Sequence, residues 1–332
     1  MRAFAFALCL LASAAGTAQA VAPWRASTAE EQRLDAAAFE GFDEGIGGRL
    51  TDIQSVVVVL QGRTAYQYYR DGNPEALREV QSVAKSALAV LVGITLQQGR
   101  IASLERPVVE LVPQWRTLNA DPRAQTITLH HLLTMTAGFE VDDDAGTAAA
   151  LAPEQAWARP LRSQPGQSFA YDNSIANLVA FVLEQVNARP LRDYAREQLA
   201  LPLDMAEPSY QRGLHLRTVD MAKLGHLFLQ GGVWNGDALL PPAFVAQATQ
   251  AQSAGGPPVR LPYGMFWWVP SESTYFASGY GGQLIWVHAP LGAVVAVTST
   301  VSSASQQRGE ALQLIRGRLF QAVQKRVSAA KR

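Results

Sequence analysis

The chain reads as an α+β protein: a three-layer α/β/α arrangement around a central antiparallel sheet, with a mainly helical segment inserted into it. Three observations predict this. Strand-like runs rich in β-branched residues occur near both ends, at residues 55–60 (SVVVVL) early and at residues 284–288 and 293–298 late. Between them, residues 82 to about 245 carry apolar side chains at helical spacing. Strands at both ends that share one sheet leave the middle of the chain as an insertion packed beside it.

The first twenty residues stand apart. Arg2 gives a positive start, residues 4–15 are apolar, and Ala18-Gln19-Ala20 is a cleavage signature, which predicts an export signal. The apolar stretch is too short to span a bilayer comfortably. The mature part then begins near Val21. Residues 30–40 alternate apolar and charged positions at helical spacing, with Leu34, Ala37 and Ala38 on one face. Residues 55–60 predict a strand, Gln61-Gly62-Arg63 a turn, and residues 64–69 its hairpin partner. After the polar loop Asp71-Gly72-Asn73-Pro74, residues 87–96 (ALAVLVGITL) are apolar nearly all round, the mark of a buried helix. Ile175, Leu178, Val179, Val182, Leu183 and Val186 form one helical stripe, and Met221, Leu224, Leu227 and Phe228 another, ended by Gly231-Gly232. Strands are expected again at residues 263–269, 275–276, 284–288 and 293–298, and Leu312, Ile315, Leu319 and Val323 make a closing helix. The domain reading is therefore a signal at 1–20, a sheet subdomain from 21–80 and 250–332, and a mainly helical subdomain at 81–249, with a site at their junction.

Composition excludes several classes. The 28 basic and 28 acidic residues balance, so no field of positive charge points to nucleic acid. The single cysteine, Cys9, lies inside the signal, which leaves the mature chain without disulfides, cysteine catalysis or cysteine-bound metal. Export without disulfides fits a bacterial periplasm. No segment after the signal has the length and charge-free character of a transmembrane helix. Oligomeric state is not encoded in any pattern seen here.

Chemistry concentrates at Ser82-Val83-Ala84-Lys85. On a helix, positions i and i+3 share a face, so the lysine amine can reach the serine hydroxyl and take or relay its proton. Only four of the 28 basic residues are lysine (Lys85, Lys223, Lys325 and Lys331), and lysine, unlike arginine, can deprotonate. The same spacing at Ser328-Ala329-Ala330-Lys331 falls in a basic tail with no helix after it. Backbone N–H groups at a helix start are unpaired and favour negative charge, so Ser82 would bring an oxyanion donor with it. The plainer alternative makes Ser82 only the N-cap of a core helix.

Tyr171-Asp172-Asn173, directly before the stripe at Ile175, is the second element. A tyrosine beside a lysine can be held as phenolate and act as a general base, and the Asn173 amide can orient Lys85 and a polar group of a substrate. As a plain reading, Asp172-Asn173 is a turn. The third is residues 275–283 (YFASGYGGQ), where glycine lets backbone approach a ligand and offer a second oxyanion N–H; its plain reading is a hairpin turn.

Ser-x-x-Lys, Tyr-x-Asn and a late glycine-bearing strand, in that order, resemble the serine β-lactamases and penicillin-recognising hydrolases. The closer similarity is to the class C β-lactamase-like group, which includes carboxylesterases and 6-aminohexanoate-oligomer hydrolases. Residues 127–138 (ITLHHLLTMTAG), 165–173 (PGQSFAYDN), 201–205 (LPLDM), 225–240, 263–268 (YGMFWW) and 279–283 (GYGGQ) belong to the pattern. The resemblance implies a β-lactamase/transpeptidase-like fold, acylation of Ser82, Lys85 as its proton partner, Tyr171 as general base, and Asn173 in contact with Lys85 and substrate. The family's third motif is Lys-Thr-Gly or His-Thr-Gly. This chain has neither; Ala277-Ser278-Gly279 is the counterpart, with the Tyr280 N–H as second oxyanion donor. The missing cation usually meets the carboxylate of a β-lactam or D-Ala-D-Ala peptide, so the expected substrate is an ester or small amide, with β-lactamase or D,D-peptidase activity, or a non-catalytic binding module, as alternatives. No cofactor or metal is expected.

Other candidates carry less. The histidines at 130, 131, 215, 226 and 288 form no H-E-x-x-H pattern, and His130 and His131 read as structural at a helix start. No G-x-S-x-G elbow occurs. Glu140 and Asp142-Asp143-Asp144, which the resemblance puts near the site mouth, read as a solvated loop, with reception of an amine-bearing substrate as the alternative. Of Trp267-Trp268, alternation along a strand puts at least one in the core.

Overall fold

The computed structural model describes residues 24–35, 37–141 and 151–324. The expected export signal with Cys9, the Asp142-Asp143-Asp144 run and the Ser-x-x-Lys copy at 328–331 lie outside these residues.

Strand β1 (Ile53–Leu60) is buried along almost its whole length, as its run of valines requires of a strand covered on both faces. Gln61 and Gly62 are both left-handed, with φ of 50° and 74°, the geometry that turns a chain back on a twisted partner. Strand β2 (Arg63–Tyr69) follows. Two short ribbons pair β3 (Arg78–Glu79) with β4 (His215–Leu216) and β5 (Val233–Trp234) with β6 (Asp237–Ala238). The late strands are β7 (Ser253–Gly256), β8 (Leu261–Tyr263), β9 (Trp268–Ser271), β10 (Thr274–Gly279), β11 (Gln283–His288) and β12 (Ala293–Ser299). They join the early hairpin in one eight-stranded sheet of order β2-β1-β12-β11-β10-β9-β8-β7. Every paired neighbour is antiparallel, and Val56 lies opposite Val297 at the seam between the two ends of the chain.

Both faces of this sheet are covered by helices. On β11, Ile285 and Val287 face helix α4 (Thr218–Leu229), which carries the predicted stripe of Met221, Leu224, Leu227 and Phe228. That helix comes so close that a Cβ at Gly225 would sit 2.6 Å from Ile285 and 2.8 Å from Val294. Although α4 falls within residues 81–249, it packs on the sheet, and a hydrogen bond of 2.5 Å ties Thr218 to Ser55 of β1. Trp286 points to the opposite face and meets Phe320 in the C-terminal helical segment. Helix α1 (Phe42–Arg49) shares that side, since Phe42 and Ile46 line one cavity with Leu314. Helix α2 (Val83–Gln97) is buried nearly all round, as its composition predicts. Helix α3 (Ile175–Asn187) buries Ile175, Leu178, Val179, Val182 and Leu183.

Two expectations differ from what is found. The described residues of the 30–40 stretch form turns and no helix: Thr28 and Glu31 bond each other's backbone, as at a helix start, but Arg33 is left-handed at φ 55°, which ends the turn at once. Residues 263–269 are not one strand. The Phe266 N–H donates to the Leu133 carbonyl and the Phe266 carbonyl accepts from Ser86 of α2. Its backbone is thus committed to the helical region, and β8 and β9 are separated by a tight bend at residues 264–267. Trp267 and Trp268, on either side of the bend's end, are both buried.

Candidate active site

Ser82 precedes α2 and its side chain caps nothing. Its Oγ instead accepts from the Lys85 Nζ at 3.1 Å. The plain capping reading predicts a bond from a helix N–H to that oxygen, so the geometry favours the pairing. Lys85 is buried and gives a second hydrogen bond, 2.9 Å, to the Asn173 Oδ1. Its amine also lies 5.0 Å from the centre of the Tyr171 ring. Among the described residues no carboxylate pairs with Lys85. Ser82, Tyr171 and Asn173, from two segments far apart in sequence, are thus gathered around the Lys85 amine.

Three cross-braces hold them. The first is a charge pair that sequence reasoning missed. Asp172, between Tyr171 and Asn173, is buried, and its Oδ2 receives the Arg159 Nη2 at 2.5 Å. Its Oδ1 accepts from the backbone N–H and hydroxyl of Ser174. Arg159 further donates to the carbonyls of Glu140 and Ala156 and lies over the Phe139 ring. A buried acid needs a partner, so Asp172 was itself the signal, but nothing local marked which arginine would serve. The second brace is the 127–138 segment: the Thr136 and Met135 carbonyls accept from the N–H groups of Gly166 and Ala170, which fixes the approach to Tyr171. There His131 and Thr128 cap each other at a helix start, the structural role expected. The third is aromatic. Tyr171 stacks on Trp268 at 5.8 Å, and Tyr263 packs edge-on against both. Burial, with the charge of an ionised Tyr171 adding to it, pushes the Tyr263 phenol well above its ordinary pKa.

The late glycine strand reaches the same place. A Cβ on Gly279 would lie 2.5 Å from the Val80 carbonyl oxygen and 2.9 Å from Gln81. Only glycine lets the end of β10 come this close to the turn that carries Ser82. Tyr280 follows, exposed, in the turn that closes with the Gly282 N–H on the Gly279 carbonyl. No carbonyl among the described residues accepts from the backbone N–H of Ser82 or of Tyr280. Two adjoining turns thus offer two unspent donors beside one hydroxyl, the arrangement an oxyanion requires. Ser278 is half-buried on β10, and Ala277, where the resembling family has its cation, is a buried methyl. Glu140 is exposed, with its backbone tied to Pro160 and Arg159.

Comparison with known proteins identifies the family and the fold. The beta-lactamase family model matches residues 36–215, more than half of the sequence. The chain belongs to the beta-lactamase family. Solved structures agree on the fold. A Bacteroides dorei protein assigned as a β-lactamase superposes with a TM-score of 0.74 at 15% identity, over 88% of this chain and 99% of that one. A Bacillus anthracis protein assigned as a 6-aminohexanoate-dimer hydrolase gives 0.67 at 20% identity, over 79% of each chain. EstCE1, described as a hydrolase with promiscuous acyltransferase activity, gives 0.66 at 17% identity, over 86% and 98%. No curated protein matches the sequence. This beta-lactamase-family hydrolase has a central antiparallel sheet flanked by helices, as its sequence predicts, and no helix among its described residues is long and apolar enough to cross a membrane.

Proposed function

We propose that this protein is an exported serine hydrolase that cleaves a carboxylic ester or small amide through an acyl-enzyme. Ser82 Oγ attacks the substrate carbonyl while its proton passes to the Lys85–Tyr171 pair. The N–H groups of Ser82 and Tyr280 hold the oxyanion. Collapse expels the alcohol or amine, which takes up that proton, and water then releases the acid from Ser82 by the same route. The observation that carries the reading is the Lys85 amine bonded at once to the Ser82 hydroxyl and the Asn173 carbonyl oxygen beneath the Tyr171 ring. Export, with a periplasmic destination, rests on Arg2, the apolar residues 4–15 and Ala18-Gln19-Ala20.

A neutral acyl group is favoured over a β-lactam or D-Ala-D-Ala peptide. Ala277 offers no charge to a substrate carboxylate. Arg308, close in sequence to the Gln306 side chain that bonds the Gly281 N–H beside Tyr280, is committed to Asp52 through two nitrogens. Arg159 is committed to Asp172. A carboxylate taken from water into such a site would lack a partner. The test is intact mass after incubation with p-nitrophenyl butyrate and, separately, a penicillin, with nitrophenol release followed alongside, for the wild type and Ser82→Ala. Turnover of the ester that disappears in Ser82→Ala, with no penicillin adduct, is expected. A stable penicillin adduct on Ser82 would move the assignment to a penicillin-recognising enzyme. Silence from both substrates would leave a non-catalytic binding module.

A further inference from the structure

At the end of the sheet remote from Ser82, the β1–β2 turn, the C-terminal part of α4, the β5–β6 ribbon and the segment at Trp24 border an open cavity of about 360 Å³. Ser82 adjoins the Ile53–Ser299 end of β1 through Gly279, whereas the cavity lies past Leu60. Strand rise puts the two roughly 20 Å apart. The volume lies in the range of small-molecule sites, about 300–1,000 Å³.

Its walls are specific. Trp24, Trp234 and His226 form an aromatic cluster, with centroids 5.3 Å apart for Trp24–His226, 5.8 Å for Trp24–Trp234 and 5.9 Å for His226–Trp234. Trp24 is held in place because Arg25 and Ser27 add to the edge of β2: the Thr64 N–H donates to the Arg25 carbonyl and the Ser27 N–H to the Thr64 carbonyl. Arg25 and Arg63 both line the cavity and are exposed. Neither forms a salt bridge or side-chain hydrogen bond among the described residues, and no Asp or Glu lines the cavity. Two like charges on one rim without an acid are mutually repulsive, and an anion between them relieves this. His226 is 8% exposed and its Nδ1 has no partner, while its Nε2 edge faces Gly62, another lining residue. An unsatisfied imidazole nitrogen is unfavourable in this setting, and packing alone does not call for it. Every charged side chain among the described lining residues is cationic, and Trp24, His226 and Trp234 give the wall an aromatic part beside Gln230, Val233 and Asn235.

We infer that this cavity is a second binding site, for a small organic carboxylate with a flat apolar body: the carboxylate meets the Arg25 and Arg63 guanidiniums and the ring lies against the indoles. The inference is independent of the reaction proposed for Ser82. Benzoate is the probe, titrated into the full chain carrying Ser82→Ala, with tryptophan fluorescence and calorimetry as readouts. Benzamide tests the charge, and acetate and inorganic phosphate test the ring. Saturable benzoate binding is expected, at least tenfold weaker in Arg63→Gln and in Arg25→Gln, with benzamide and acetate each binding at least tenfold more weakly. Both arginines are exposed, so these variants keep the fold, which a thermal melt checks. Binding that both arginine variants leave unchanged, equal affinity for benzamide, phosphate binding as tight as benzoate, or no saturation at 10 mM (on the order of −3 kcal/mol) would each overturn the inference.

Discussion

Replacing Arg159 with methionine tests the brace beneath the proposed site. The substitution keeps a long apolar stem and removes the guanidinium from Asp172, which is 2% exposed. A buried charge stripped of its partner costs about 3–5 kcal/mol. Asp172 keeps its bonds from the Ser174 N–H at 2.8 Å and hydroxyl at 2.7 Å, so the lower end, about 3 kcal/mol, applies. In a chain of this size that lowers Tm by roughly 4–6 °C. Urea unfolding gives the free energy directly, and the cycle with Asp172→Asn isolates the pair. Arg159→Met/Asp172→Asn buries no unpaired carboxylate, so it should recover about 2 kcal/mol relative to the sum of the single losses. Ester turnover should fall about a hundredfold in Arg159→Met, because Tyr171 and Asn173 flank the loosened residue and small displacements are costly in such sites. A loss under about 1 kcal/mol, or a double variant as unstable as the two singles added, would refute the reasoning, since an ion pair that dispensable is a solvated one.

Two further outcomes follow from single contacts. Gly279→Ala places a methyl 2.5 Å from the Val80 oxygen; overpacking of about 1–3 kcal/mol is expected, with kcat falling more than KM rises because the Tyr280 N–H moves away from the Ser82 turn, and unchanged kinetics would remove Tyr280 from the oxyanion role. Burial holds the His226 pKa down at about 4 against an ordinary 6.5. A depressed histidine is neutral in the fold and charges first in the unfolded chain, so its contribution is complete above pH 6.5 and is lost as pH falls from there toward 4, by up to about 3 kcal/mol. The difference between wild type and His226→Phe in urea midpoints should therefore change over that window and be flat above it; a constant difference from pH 7 to 4 would show that His226 is not buried neutral.

What the sequence revealed was local or periodic. The Ser82–Lys85 pairing sits on one helical turn, Tyr171 and Asn173 share one tripeptide, and the α3 and α4 stripes repeat at 3.6 residues, so each was legible from its own neighbourhood. The close approach at Gly279 was readable as a glycine at a strand end, though not what it approaches. Contacts made across the fold left no such trace. Arg159 is one of many arginines until the fold sets it against Asp172. The bend at Phe266 follows from bonds to Leu133 and Ser86, residues of distant segments, and YGMFWW alone reads as a strand. Residues 30–40 failed differently: the periodicity was present, but a single left-handed residue, Arg33, outweighed it.

The Arg159 pair also bears on the electrostatics of the proposed reaction. Lys85 is buried with only neutral partners, Ser82 and Asn173, and an aromatic face. In the proposed reaction Lys85 holds Tyr171 ready to take the Ser82 proton, so negative charge moves from the Tyr171 side to the oxyanion as the bond forms and the same amine serves both. A carboxylate beside it would remove that advantage by satisfying Lys85 in the ground state, since only interactions stronger in the transition state accelerate the step. Asp172 is the one acid placed by sequence next to both Tyr171 and Asn173. Its two oxygens are turned to Arg159 and Ser174, so its charge is spent away from Lys85. On this argument Arg159→Met harms catalysis by more than misplacement: Asp172, released, competes for the Lys85 amine. Asp172→Asn removes that competitor, so the double variant should recover turnover as well as stability, and a double variant that regains stability while its turnover stays as low as that of Arg159→Met would reduce Arg159 to a purely structural brace.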